Sequence, residues 1–145
     1  MKNSTKVEFH DKSLKQILDK YSSNVEEYLK PINECSSDIR AVEESLRNLN
    51  IQKRYEYVIK DPILKGSDCW ESLSWSLYPQ EGRYRLLFEF FPYDPEDKED
   101  VDLSNEVVKP LIEMDSSTRL RFYQEGMLRE FMEKFFLEFS TSKLS

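Results

Sequence analysis

Two arginines, Arg83 and Arg85, open an aromatic-rich stretch, and a little upstream lies a serine alternation, Ser72, Ser74 and Ser76, followed by Tyr78. If these stretches pair as adjacent strands, Arg85 becomes the neighbour of Ser76 and Arg83 of Tyr78. Guanidinium donors beside hydroxyls suit a planar oxyanion, because the fork of N–H groups matches carboxylate and phosphate oxygens. Arg83, Arg85, Ser76 and Tyr78 are therefore a candidate site for a small anion. Ordinary solvated strand polarity explains the same residues, so the group is a binding site before it is an active site.

Other chemistries find little to build on. His10 is the only histidine and sits in a polar N-terminal stretch, which leaves a Ser-His-Asp or Cys-His arrangement no second choice of base. Cys35 and Cys69 are far apart with no second pair, which excludes a CxxC redox motif and a four-thiolate zinc site. Gly66, Gly82 and Gly126 are too scattered for a phosphate-wrapping loop or a dinucleotide fingerprint. No spacing sets two carboxylates across a cleft. Lys and Arg are interspersed with acids along nearly every element, so nucleic acid is not an expected ligand. No cofactor, metal or catalytic residue is expected.

The elements that would position the arginines can be read from periodicity. Tyr55, Tyr57 and Ile59 alternate with Arg54, Glu56, Val58 and Lys60 until Asp61-Pro62, which reads as a strand, and residues 63–69 read as a loop. Trp70–Tyr78 and Arg83–Phe91 are joined by Pro79-Gln80-Glu81-Gly82, a connection with Pro early and Gly late as four-residue hairpin turns favour. If Tyr78 faces Arg83, then Leu77 meets Tyr84, Trp75 meets Leu86 and Leu73 meets Phe88, all apolar pairs. The other face pairs Ser76 with Arg85 and Ser72 with Glu89. A slip of one residue would bury the serines, so the pattern specifies this register, with Ser76 and Arg85 facing outward on a partly open face.

Upstream, Leu14, Ile17, Leu18, Tyr21, Val25, Tyr28 and Leu29 follow helical spacing, and Pro31 is expected to end this first helix, over about residues 11–30. Its apolar face is expected against the core, with a partner-binding or coiled-coil seam as the alternative. A second helix is expected from caps at Ser36, Ser37 or Asp38 through Ile39, Val42, Leu46 and Leu49. Downstream, residues 92–106 hold seven carboxylates against one lysine, which accounts for nearly all of the net charge of −7. They read as an acidic loop, since an EF-hand's central glycine and terminal glutamate are missing. Val107–Ile112, interrupted by Pro110, suggests a short edge strand or an extended segment.

A last helix is expected from a cap at Asp115, Ser116 or Ser117 through Phe139. Its apolar face is broader than one side of a three-stranded sheet needs. The first two helices can supply much of the cover; where they do not, Phe131, Met132, Phe135, Phe136 and Phe139 are a candidate protein interface, for a partner or for a homodimer. Gly126 within that helix is expected to mark close approach by another element.

These 145 residues, 39% hydrophobic and 34% charged, fit a single domain, 1–145, of α+β class. The expected order is ααβββα, an antiparallel meander of three strands, or four with the edge segment, covered on one face by helices. No apolar run approaches a membrane span, and the start, MKNSTKVEFH, lacks the apolar core of a signal peptide, so the expected location is cytoplasmic. In size, acidity and helix-meander-helix order the chain resembles the small acidic chaperones of bacterial secretion systems. That resemblance is architectural and carries no motif; it implies a dimer that holds partner segments in the cytosol. The chain departs from that family in lacking a second pair of strands between two later helices. The favoured expectation is a non-enzymatic, acidic protein-interaction module (adaptor, chaperone, inhibitor or immunity-type protein). The alternative is a small-anion-binding domain, or an enzyme, using Arg83, Arg85 and Ser76.

Overall fold

Asp11 starts the first helix by accepting the Ser13 backbone N–H at 2.9 Å, a side-chain N-cap. The structure, a computed structural model, describes residues 7–93 and 106–140. From that cap one helix, α1, runs unbroken over Lys12–Asn48, 37 residues and so about 55 Å long. The expected pair of helices is thus corrected to one, with Pro31 in its interior. Proline removes the hydrogen bond to the carbonyl of Glu27, a loss that usually breaks a helix. Here Glu27 and Pro31 are both exposed, so water can satisfy the freed carbonyl. The following turns are anchored by Cys35, Ile39 and Leu46, all fully buried.

Four antiparallel strands follow: β1 (Tyr55–Lys60), β2 (Cys69–Tyr78), β3 (Arg83–Pro92) and β4 (Val107–Pro110), in spatial order β1-β2-β3-β4. The β2–β3 register is the expected one, with Tyr78 opposite Arg83, Trp75 opposite Leu86 and Leu73 opposite Phe88. Gly82 supplies the left-handed residue of the turn at φ 65°, where Glu81 and Gly82 both donate to the Tyr78 carbonyl. Strand β4 pairs Pro110 with Leu87 and Val107 with Phe90. It is an edge strand, where proline's missing N–H costs no ladder bond.

A 3-10 turn at Leu111–Glu113 leads to α2 (Ser116–Gln124) and α3 (Met127–Glu138). The single last helix is therefore also corrected: Gly126, at φ 81°, breaks it in two. A Cβ added at Gly126 would meet nothing within 4 Å, so this glycine serves the left-handed backbone and not a close contact. The core lies between one face of the sheet and the helices. Leu73, Trp75, Leu86 and Phe88 meet Ile39 and Leu46 of α1, Phe122 of α2, and Phe131 and Phe135 of α3. Tyr55 joins the sheet to α3, stacking edge-on to Phe131 and Phe135, each at 5.8 Å between ring centres. The described parts of the acidic stretch are only its ends; residues 94–105 lie outside the described residues.

Candidate functional site

The register brings Arg85 beside Ser76, as expected, but neither faces solvent: Arg85 is 6% and Ser76 4% exposed. The reason lies in long-range partners. Glu43, projecting from α1, is buried and binds the Arg85 guanidinium through both its oxygens, while also accepting the Leu86 backbone N–H at 3.0 Å. Glu81, in the hairpin turn, takes the remaining fork of Arg85 at 2.8 and 2.9 Å. These bonds, that to Glu43 foremost, push the Arg85 pKa far up and keep it cationic. Arg83 also donates to Glu81, at 2.8 Å. Both arginines hold Glu81 below the usual carboxylate range.

Ser76 has its own partners. Arg54 donates to Ser76 Oγ at 2.6 Å and to both oxygens of Glu89, while Ser76 donates to Ser74 and Ser74 to Glu89. Ser72 donates to Glu56 at 2.9 Å. Around Ser72, Ser74 and Ser76 the second face of the sheet is therefore a polar lattice, in which short hydroxyls bond to the longer charged side chains of Arg54, Glu56 and Glu89. The expectation of an outward, solvated Ser76 and Arg85 is overturned by these partners. Arg83 lines a shallow hollow of about 180 Å³ with Arg47, Trp75 and Leu77, and Arg85 is not part of it. Tyr78 is partly exposed at the strand end. The four residues are neighbours in the sheet, yet Arg85's donors and the Arg83 Nε are already held by carboxylates, and Ser76 is engaged by Arg54 and Ser74.

The candidate interface divides in two. Phe131 and Phe135 are fully buried among core side chains and are withdrawn as interface residues. Their cover comes from Tyr55 and the rest of the core, and the fourth strand widens the sheet beyond the three on which the surplus was counted. Phe139, half-buried, packs on Phe135 at 4.8 Å. Met132 and Phe136 line a groove of about 870 Å³ between α1 and the last two helices, with Val42, Leu128, Asp38 and Tyr123. Tyr123 donates to Asp38 at the groove, and this bond raises the phenol's pKa.

A longer run of exposed apolar side chains lies elsewhere. Along α1, every residue from Lys12 to Pro31 except Ser22 is exposed, and the face expected to be core is outside: Leu14, Ile17, Leu18, Tyr21 and Val25 each show about half their surface, and Tyr28 shows 69%. This corrects the first-helix expectation. The first fully buried residue of α1 is Cys35, and among the described residues the first turns have no intramolecular surface to meet. A signal for one continuous helix, though not for which half is covered, was present in the spacing. Leu14, Leu18, Tyr21, Val25, Tyr28, Ile32, Cys35, Ile39, Val42, Leu46 and Leu49 alternate four and three residues apart without interruption. Such a 3.5-residue repeat over several heptads belongs to helix-helix seams.

Among the described residues, no group of three or more His, Cys, Asp or Glu is placed to hold a metal ion. No described helix is long and apolar enough to cross a membrane. Comparison of the chain with family models, curated proteins and solved structures gave no match.

Proposed function

We propose that this chain is a non-catalytic protein-interaction module whose contact surface is the apolar face of the first half of α1. One observation carries the reading: a helix section about 30 Å long projects past the core with seven large apolar residues on its surface, Leu14, Ile17, Leu18, Tyr21, Val25, Tyr28 and Leu29. Fully burying such side chains contributes roughly 1.5–3 kcal/mol apiece, so exposing all seven to water is costly unless a partner covers them. The groove beside Met132 and Phe136, lined by the second half of α1 and the last two helices, offers a second contact area. Two buried free thiols, Cys35 and Cys69, suit a reducing, cytoplasmic setting.

The anion-binding reading has less to support it. Arg85 is neutralised by Glu43 and Glu81, and Ser76 is engaged by Arg54. The test is photo-cross-linking in the cells that make the protein, with a photoreactive residue in place of Tyr21 or Val25 and, as control, of exposed Lys65. Discrete adducts from positions 21 and 25 that are absent from position 65 are expected. Equal labelling at all three, or no adduct at the helix, would overturn the reading.

A further inference from the structure

Resting on that reading, we infer that the partner of the α1 face is a second copy of this chain, paired antiparallel about a two-fold axis beside Ser23. The exposed section of α1 is defined at one end by the start of the helix at Lys12 and at the other by Glu34, next to the first fully buried residue, Cys35. Its midpoint is residue 23. The apolar positions Leu14, Leu18, Tyr21, Val25, Tyr28 and Ile32 are spaced four, three, four, three and four apart, and that series reads the same from both ends. A reversed copy centred on residue 23 therefore presents an apolar side chain at every level: Leu14 against Ile32, Leu18 against Tyr28, Tyr21 against Val25. Sequence symmetry and the limits of the exposed section give the same centre independently.

Charge selects the direction. In the first half of the section three lysines, Lys12, Lys15 and Lys20, outnumber Asp19; in the second half three glutamates, Glu26, Glu27 and Glu34, outnumber Lys30. A parallel pair would set positive against positive and negative against negative. The antiparallel pair sets each positive half on a negative one, with Lys20 level with Glu26 and Lys12 level with Glu34. Ile17 and Leu29 flank the seam and widen it.

The area is sufficient. Eight apolar residues per copy, Ile32 included, each with roughly 80 Å² to bury, bring a symmetric pair to about 1,300 Å², in the range of stable interfaces and isologous as two-fold pairing requires. The start of each helix then abuts the point where its partner enters its own core. Two folded heads are thereby held apart at opposite ends of a two-helix bridge, with each head's groove and sheet left open.

Sedimentation equilibrium of the whole protein at about 1–100 µM, beside a Leu18→Glu/Val25→Glu variant, tests the pairing. The expected result is a dimer for the native chain and at least about a hundredfold weaker association for the variant, since each pair of copies would bury four unpaired carboxylates. The variant's melting temperature should be unchanged at concentrations where both proteins are monomeric, because neither residue touches the core. Direction is read by mild oxidation of cysteine variants, the native thiols being buried. Leu14→Cys mixed with Ile32→Cys should give a crossed disulfide, whereas Leu14→Cys alone should give none, its two copies being about 27 Å apart. A monomer throughout, a dimer indifferent to the double substitution, or a disulfide formed by Leu14→Cys alone would each overturn the inference. A monomer that still forms a specific adduct from position 21 to a different protein sinks the self-pairing while leaving the interaction module standing; a monomer with no adduct sinks both.

Discussion

Glu43 of α1 and Arg85 of β3, 42 residues apart in the chain, form a buried ion pair in which the same carboxylate also accepts the Leu86 backbone N–H. Strand β4 begins to pair only at Leu87, so Glu43 stands in for a strand at the open end of the β3 edge. It ties the helix to the sheet by charge where the core ties it by packing.

Removing one member of this pair leaves the other's buried charge only partly met, Arg85 by Glu81 and Glu43 by the Leu86 N–H. Glu43→Leu and Arg85→Leu should each destabilise the fold by at least about 2 kcal/mol, and the double variant by clearly less than their sum. Urea unfolding of the four proteins completes the cycle; additive losses would show that the two side chains are not coupled.

The hairpin makes a residue-by-residue prediction. Trp75→Ala should cost about 3–5 kcal/mol, because the indole fills the core and its N–H donates to the Ile51 carbonyl at 2.8 Å. Ser76→Ala, which would be silent on an open strand face, should cost about 1–3 kcal/mol by removing the buried hydroxyl that accepts from Arg54 and donates to Ser74, both of which keep their bonds to Glu89. Leu77→Ala, on an exposed position, should stay within about 0.5 kcal/mol. Chemical denaturation ranks the three, and a silent Ser76→Ala would show that the polar lattice does not contribute.

Residues 1–29 should be dispensable for the rest of the fold. A chain beginning at Lys30 places Pro31 in the first turn of α1, where proline is accommodated, and keeps every buried residue of the helix. Thermal unfolding of the shortened chain in the monomeric state should match that of the whole protein to within about 1 kcal/mol. A chain unable to fold would place the first half of α1 in the core after all.

Alkaline stability should report on Tyr57. Burial foremost, then the hydrogen bond and charge of Glu130, pushes its phenol up to about 12. In the unfolded chain the phenol ionises near 10, so the folded state holds its proton longer. Its contribution is fully present below about pH 10 and is lost as pH rises through about 12. Tyr57→Phe should lose less stability than the native protein between about pH 9 and pH 11, by urea midpoints. Parallel curves for the two proteins would refute the assignment. Burial also raises the Tyr55 phenol's pKa, so the variant's curve should flatten only in part.

What could be read from the chain alone was decided by neighbours in sequence. The alternation from Trp70 to Phe91 and the Pro79–Gly82 turn specify every pair of the hairpin, because a strand's two faces exchange on a one-residue slip and only one register buries Trp75 with Leu86. The edge strand followed from the place of Pro110, and the α+β class from the order of periods. The anion site was legible as a set of neighbours but not as a set of free donors: Arg85 meets Glu43 only because α1 crosses the sheet edge, and Arg54 meets Glu89 only across two strands. The same limit governs α1. Helical spacing shows that Leu14 to Leu49 share a stripe, and nothing in that spacing says which turns the sheet will cover. A stripe becomes core or contact surface according to what lies against it, and here the folded chain covers it from Cys35 onward and leaves the first half exposed.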